Sequence, residues 1–190
     1  MYPIRRQILA SLAARRMPPL APGEGHVNRM RAMPWDIDPL GDLNNGRIIT
    51  LTDVGRIALA QRVGLMAAVR RNRWGLAMAG SAPHYRKRAG LWQRLEFHSR
   101  FVGRDARFIF IEHSMFLGHE NAKIPAFNAM CRTVITSRGR LVPTDKVMAE
   151  IGHPDWNPPL PCWVEDWAKA DSARPWPPAD MVMTEAPNSP

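Results

Sequence analysis

The spacing of apolar residues changes partway along the chain from a helical to an alternating pattern. Between Gly46 and Gly64, apolar and small residues recur at helical intervals and share one side of a helix: Ile48, Leu51, Gly55, Ala58 and Leu59. Asp53 and Arg56 project from another side. The small residues would let a sheet wrap closely around this helix. The pattern therefore predicts a buried helix over residues 46–64.

Strand-like segments are predicted on both sides of this helix. Before it, residues 26–35 form a weak strand pattern that Pro34 stops. After it, four segments are rich in branched or aromatic residues or alternate between apolar and polar: 76–88, 91–103, 106–118 and 126–137. Pro83 predicts a kink in the first, and the turn signals "GHEN" and "SRGR" end the last two. Because sequential strands usually pair, we predict one antiparallel sheet.

The two ends of the chain differ in composition from its middle. Residues 1–26 are basic, and their apolar stretch is broken too early for a cleaved signal peptide. We expect a short amphipathic helix packed on the domain there, with shallow membrane contact as the alternative. Residues 151–190 are rich in proline and tryptophan, and we expect a short helix over 161–170, docked by its tryptophans. The central domain then covers residues 27–150.

The composition indicates a globular protein with a basic surface. No apolar run approaches the roughly 20 residues of a spanning helix, so no stable membrane insertion is expected. The 26 Lys and Arg against 17 Asp and Glu give a net charge of +9, which favours an anionic partner. The basic residues are dispersed and no nucleic-acid motif is present, so nucleic acid is not expected. Cys131 and Cys162 lack metal-ligand spacing, which predicts a reduced, cytoplasmic protein without a metal site.

The segment "DIDPLGDLNNGRI", residues 36–48, gathers carboxylates, glycines and asparagines in front of the predicted helix. Within it, "NNGR" is typical of a type I′ hairpin turn. Its aspartates also suit a calcium loop, although the terminal glutamate of an EF-hand is missing. The helical spacing that follows favours a loop ending at a helix N-terminus, with Asn44 or Asn45 as the N-cap. Asp53 and Arg56, three residues apart on the helix, are interpreted as a structural ion pair.

The longer segment "WDIDPLGDLNNGRIITLTDVGRIALAQRVGL" resembles the hotdog-fold thioesterases of the 4-hydroxybenzoyl-CoA thioesterase kind. The motif of that family runs roughly D-x-D-x-x-G-H-x-N-N, followed by a helix with an acidic residue, two spacers and Arg. The matching positions are Asp36, Asp38, Gly41, Asn44, Asn45, Asp53 and Arg56. The family His is Asp42 here, and Leu40 stands where related plant acyl-carrier-protein thioesterases carry Asn. The resemblance therefore does not imply an Asp, Asn, His catalytic set.

The resemblance implies an α+β hotdog fold, in which an antiparallel sheet wraps around one long helix, and a homodimer or homotetramer with active sites at the interface. It further implies hydrolysis of an acyl-CoA or related acyl thioester, with no cofactor beyond the coenzyme A moiety of the substrate. A hydratase is disfavoured because the His of "GDLNN" is missing. The alternative is a non-catalytic hotdog protein that binds an acyl-CoA or acyl ligand.

Thioester hydrolysis needs a carboxylate beside the carbonyl carbon and a hydrogen-bond donor at the carbonyl oxygen. By resemblance, Asp38 is the general base or the nucleophile. A helix N-terminus offers unpaired N–H groups and a partial positive charge. The N–H groups of Asn45 and Gly46 are therefore the predicted oxyanion donors, and a side chain at position 46 could block the approach.

Seven further residues are candidates for substrate binding: Asp42, Asn44, Leu51, Val54, Arg86, Arg88 and Arg138. The first two adjoin the catalytic positions in the loop. The two apolar residues are expected to line an acyl tunnel beside the helix. The three arginines, at a predicted strand end and in the "SRGR" turn, are candidates for the phosphates of coenzyme A, with exposed rim charges as the alternative.

Overall fold

The computed structural model describes residues 2–118 and 123–175. They form two compact units that divide between Pro159 and Leu160. The helices of the first unit are α1 (Ile4–Ala14), α2 (Asn45–Arg62), α3 (Leu65–Asn72) and α4 (Thr144–Glu150), and its strands are β1 (His26–Arg31), β2 (Gly75–Tyr85), β3 (Arg94–Arg104), β4 (Ile109–Leu117), β5 (Ile124–Ser137) and β6 (Arg140–Leu141). The second unit contains α5 (Cys162–Ser172).

In the described part of the chain, the strands form one antiparallel sheet in the order β1-β3-β4-β5-β2, with β6 added to β5. The consecutive strands β3, β4 and β5 pair as neighbours. In contrast, β2 does not pair with β3, but crosses to the far side of β5 and becomes an outer strand. Its register shift lies between Met78 and Gly80, and the pairing with β5 is continuous through Pro83. The kink at Pro83 stays a prediction.

Helix α2 lies against β1, β3 and β4. The residues predicted to face the sheet are all buried: Ile48, Leu51, Gly55, Ala58 and Leu59. Close approach explains the glycine, since a Cβ atom at Gly55 would lie 2.5 Å from Oγ of Ser99 on β3. The sequence therefore predicted both this helix and its buried face.

Two hydrophobic clusters fill the space between helix and sheet. One surrounds the first half of α2 and includes Leu51, Phe97, Met115 and Phe127. The other surrounds its second half: Leu59, Phe101, Ile109, Ile111, Val147 and Met148. The second cluster includes residues of α3 and α4, two helices that the sequence pattern does not predict. Both helices are short, which weakens any periodic signal.

The hairpin interpretation of "NNGR" is wrong, because Asn45 begins α2. Most of the predicted "GHEN" turn, residues 119–121, lies outside the described residues, as does the chain from residue 176 on. Helix α5 begins at Cys162 and ends at Ser172, close to the predicted span. Its docking through tryptophans stays a prediction.

Candidate functional site at the N-terminus of helix α2

The acidic loop forms a small closed turn immediately before α2. The backbone N–H of Asp38 donates to the carbonyl of Asp42 at 2.8 Å, and Ile37 and Leu43 form an antiparallel bridge. Oδ1 of Asp38 accepts the N–H groups of Leu40 at 2.9 Å and Asp42 at 3.3 Å. One carboxylate oxygen of Asp38 therefore holds the turn in shape, and the side chain is half-buried.

Asp36 has a different environment, two residues earlier. Its side chain is fully buried, with ion pairs to Arg6 of α1 at 2.8 Å and Arg47 of α2 at 2.6 Å. It also accepts the N–H of Met33 at 3.0 Å. Burial by itself raises the pKa of Asp36, but these hydrogen bonds and charges outweigh it and lower the pKa below its ordinary value. Asp36 therefore fixes the loop to two helices as a carboxylate that is ionised at neutral pH.

The first turn of α2 has two N–H groups left for an outside acceptor. The four leading N–H groups of a helix have no partner within it. Of the N–H groups of residues 44–47, that of Asn44 donates to the carbonyl of Asp36 at 3.0 Å, and that of Arg47 donates to Oδ1 of Asn44 at 3.0 Å. Asn44 is thus the N-cap, and the N–H groups of the exposed Asn45 and Gly46 remain available.

A cleft of about 680 Å³ lies at this end of α2. It is lined by Tyr2, Trp35, Asp36, Ile37, Asp38, Pro39, Asn44, Gly46, Arg47 and Thr50. The cleft brings together three sequence-predicted residues: Asp38, Asn44 and Gly46. Tyr2 and Trp35 were missed. Tyr2 lies more than thirty residues away in sequence from the other residues of the cleft, and the packing of α1 brings it there. No local sequence pattern therefore identifies it.

The two apolar tunnel candidates lie elsewhere. Leu51 and Val54 are 0% and 1% exposed, and Leu51 belongs to the first core cluster. Neither residue lines the cleft at the start of α2. Their assignment to an acyl tunnel stays a prediction.

The candidate arginines are divided between two ends of the sheet. Arg88 forms an ion pair with Asp42 at 3.1 Å, and Asp42 also bridges to Gly90 through its backbone. Arg86 is held next to the first residues of β5, since its N–H donates to the carbonyl of Ala126 at 2.8 Å. Arg138 follows the last residue of β5, and the strand from Ala126 to Arg138 is up to roughly 40 Å long at about 3.3 Å per residue. Arg138 does not line the cleft.

A second carboxylate lies further along α2. Asp53 and Arg56 form the predicted ion pair at 2.7 Å, and both side chains are largely buried. The hydroxyl of Tyr2 donates to Oδ2 of Asp53 at 3.4 Å. Burial raises the pKa of Asp53, and the neighbouring Arg56 opposes that effect. Asp53 does not line the cleft.

Two general findings concern the described residues as a whole. Among them, no group of three or more His, Cys, Asp or Glu side chains is arranged to hold a metal ion. None of their helices combines the length and apolar character needed to cross a membrane.

Comparison with known proteins identifies the family. A model of the thioesterase-like superfamily matches residues 33–152, which is more than half of the chain. The chain therefore belongs to the thioesterase-like superfamily.

Particular relatives are more distant. Protein THEM6 of Xenopus laevis is 31% identical over 80 residues, which are 42% of this chain and 39% of that protein. The matched part of this chain thus spans about two fifths of the length of that relative.

Solved structures establish the fold. The probable thioesterase YbaW of Escherichia coli matches with a TM-score of 0.61 and 12% identity, over 67% of this chain and 96% of YbaW. A 4-hydroxybenzoyl-CoA thioesterase with one aspartate mutated to asparagine, complexed with 4-hydroxybenzoyl-CoA, matches with a TM-score of 0.59 and 12% identity, over 67% and 99% of the two chains. The α+β hotdog fold predicted from the sequence is confirmed.

Proposed function

We propose that this protein hydrolyses an acyl-CoA or a related acyl thioester in the cleft at the start of α2. The observation that carries the proposal is that Asp38 and Gly46 line one cleft. A carboxylate and the N–H groups of a helix N-terminus are the two components that attack on a thioester carbonyl requires. The complex of 4-hydroxybenzoyl-CoA thioesterase with its acyl-CoA, on the same fold, supports the choice of ligand.

The proposed reaction places the thioester carbonyl oxygen at the N–H groups of Asn45 and Gly46. Asp38 accepts a proton from water as the water oxygen bonds to the carbonyl carbon, or its carboxylate attacks that carbon and water later cleaves the anhydride. The carbon–sulfur bond breaks and the thiolate takes up a proton. The products are a carboxylic acid and a free thiol. Removing one oxyanion donor typically costs about 3 to 4 kcal/mol of transition-state stabilisation.

Asp38 is preferred over its neighbours because the other carboxylates are engaged. Asp36 is fully buried between two arginines, and Asp53 is paired with Arg56. Asp42, at the position of the family histidine, is paired with Arg88. We assign to Asp42 and Arg88 the task of holding residues 86–90 beside the loop, and we propose that Arg86 binds a phosphate of coenzyme A.

We further propose that the protein assembles as a homodimer or homotetramer. Strand β2 supports this proposal, because it is an outer strand of eleven residues and its side chains are mostly exposed. An edge of that length is a template for pairing with another strand.

Thiol release from a panel of short, long and aromatic acyl-CoAs, and from an acylated carrier protein, tests the proposed activity. We expect release from at least one of these thioesters and no dependence on added metal. Absence of release from every thioester, by a protein that still binds acyl-CoA, would contradict hydrolysis and favour a non-catalytic acyl-binding protein.

A further inference from the structure

Helix α1 is amphipathic, but its faces are reversed relative to an ordinary surface helix. Its inward side carries Arg6, Gln7, Ala10 and Ala14. Its large aliphatic side chains point outward, with exposed fractions between 48% and 67%: Ile4, Ile8, Leu9 and Leu12. At 100° per residue these four side chains lie within an arc of about 140°. A surface helix normally turns such an apolar arc toward the core.

The structure fixes α1 in this orientation. Arg6 donates to the carboxylate of Asp36 at 2.8 Å and to the carbonyl of Arg31 at 3.0 Å. After the helix, the N–H of Leu20 donates to the carbonyl of Arg62 at 3.1 Å, and Nε of Arg62 donates to the carbonyl of Pro18 at 3.0 Å. Arg6 therefore bonds the inward side of α1 to the domain, and the large aliphatic side chains face away from it.

Positive charge accompanies the apolar arc. Arg5, Arg15 and Arg16 are exposed, and residues 2–23 contain no Asp or Glu. The whole chain carries a net charge of +9. Helix α1 thus combines exposed leucine and isoleucine with arginine over eleven residues. Interfacial helices bind anionic lipid surfaces through this combination of residues.

We propose that the outer face of α1 docks the protein on the surface of an anionic phospholipid bilayer. The helix lies in the plane of the interface with Ile4, Ile8, Leu9 and Leu12 at the boundary of the acyl chains, and its arginines reach the phosphate groups. Charge favours a bilayer over a second copy of this face, because two copies would bring the same arginines together.

The position of α1 relates this surface to the cleft. Tyr2 lies two residues before the start of the helix and lines the cleft together with Trp35, a residue that is 67% exposed. Tyrosine and tryptophan are the side chains enriched at membrane–water interfaces. Docking through α1 would thus hold the cleft near the lipid surface, where long-chain acyl thioesters partition.

Cosedimentation of the full chain with vesicles tests this docking. The vesicles contain phosphatidylcholine alone, or phosphatidylcholine with phosphatidylglycerol at about one part in four. We expect wild-type protein to sediment with the anionic vesicles and not with the neutral ones, and to be released by added salt. The variant Ile8→Asp/Leu12→Asp is expected to lose at least 100-fold in partitioning, and Arg5→Glu/Arg16→Glu at least tenfold.

Matched controls separate docking from folding and from catalysis. Leu141→Asp removes an equally exposed leucine on β6 and is expected to bind vesicles like the wild type. Thiol release from a short, water-soluble acyl-CoA that the wild type cleaves is expected to be unchanged in Ile8→Asp/Leu12→Asp. Equal sedimentation of wild type and Ile8→Asp/Leu12→Asp would overturn the proposal. The proposal would also be overturned if the wild type did not bind vesicles and that variant eluted as a smaller species than the wild type. That result would identify this face as an interface between copies of the chain.

Discussion

Asp36 and Asp38 differ by two positions in the sequence, but their environments assign them different roles. The side chain of Asp36 is completely buried between two arginines, whereas Asp38 is half-buried and lines the cleft. Both matched the family motif, and only their tertiary contacts distinguish them. Arg6, which completes the site of Asp36, is thirty residues away in sequence and belongs to no motif.

Replacing Asp36 by Asn tests the structural role of that carboxylate. Both arginines would lose a buried partner, so we expect a loss of about 3 to 5 kcal/mol in the free energy of unfolding at pH 7. Because the pKa of Asp36 is lowered in the folded state, its contribution is present above its ordinary pKa and is lost as the pH falls below it. Urea denaturation of the variant measures the loss. An unchanged midpoint, matching that of the exposed control Asp155→Asn, would contradict this role.

His113 makes stability depend on pH near neutrality. Burial, with a smaller effect of Arg56, lowers the pKa of His113 to about 3, and its Nδ1 lies 2.8 Å from Oγ of Ser99. Below pH 6.5 the unfolded chain takes up a proton that folded His113 does not, so stability is full above pH 6.5 and falls toward pH 3. The expected slope is at most about 1.4 kcal/mol per pH unit from this residue.

The variant His113→Gln checks this assignment, because glutamine keeps a hydrogen-bonding group for Ser99 and does not titrate. Between pH 6.5 and 5, denaturation midpoints of the variant should change less with pH than those of the wild type. Burial also lowers the pKa of His26, so part of the pH dependence of stability remains in the variant. The exposed control His84→Gln should behave like the wild type. Parallel pH profiles of wild type and His113→Gln would exclude His113 as the source.

At the scale of elements, the contact between α2 and β3 depends on the absence of a side chain at position 55. In Gly55→Ala, the new methyl group would meet Oγ of Ser99 at 2.5 Å. Overpacking typically costs 1 to 3 kcal/mol, roughly, which outweighs the gain of about 1 kcal/mol from alanine over glycine in a helix. We therefore expect net destabilisation in thermal or urea denaturation.

A double-mutant cycle with Ser99→Ala identifies the cause. Removing Oγ leaves only the Cβ of residue 99, at an ordinary contact distance of 3.6 Å. Gly55→Ala should therefore cost less in the Ser99→Ala background than in the wild type. Equal costs in the two backgrounds would mean that the strain does not arise from this contact.

The elements with strong periodicity were predictable, and those defined by distant contacts were not. The buried face of α2 and strand β3 followed from spacing, and β4 and β5 from their aromatic and branched residues and from the turn signals after them. The crossing of β2 to β5 did not, because its sequence does not encode which edge it joins. The short helices α3 and α4 are stabilised by burial in the second core cluster, which no local pattern shows.

At the scale of the whole molecule, the sequence predicted the loop and helix end of the candidate site, but not its full boundary. Asp38, Asn44 and Gly46 lie in one short segment, so local pattern was sufficient to place them together. Tyr2 enters through the packing of α1, and Arg138 does not line the cleft. The outward orientation of the apolar face of α1 was also unpredictable, because an amphipathic pattern does not indicate which face of a helix packs on the domain.

The most direct test of the central claim is the rate of thiol release by Asp38→Asn. Asparagine keeps the Oδ1 acceptor that holds the loop turn and loses the basic carboxylate, so the fold should be preserved. On any acyl-CoA that the wild type cleaves, we predict that kcat falls by about 10²- to 10⁴-fold, with an unchanged rate in Asp155→Asn. Full activity in a correctly folded Asp38→Asn would contradict the assignment of Asp38 as the catalytic carboxylate.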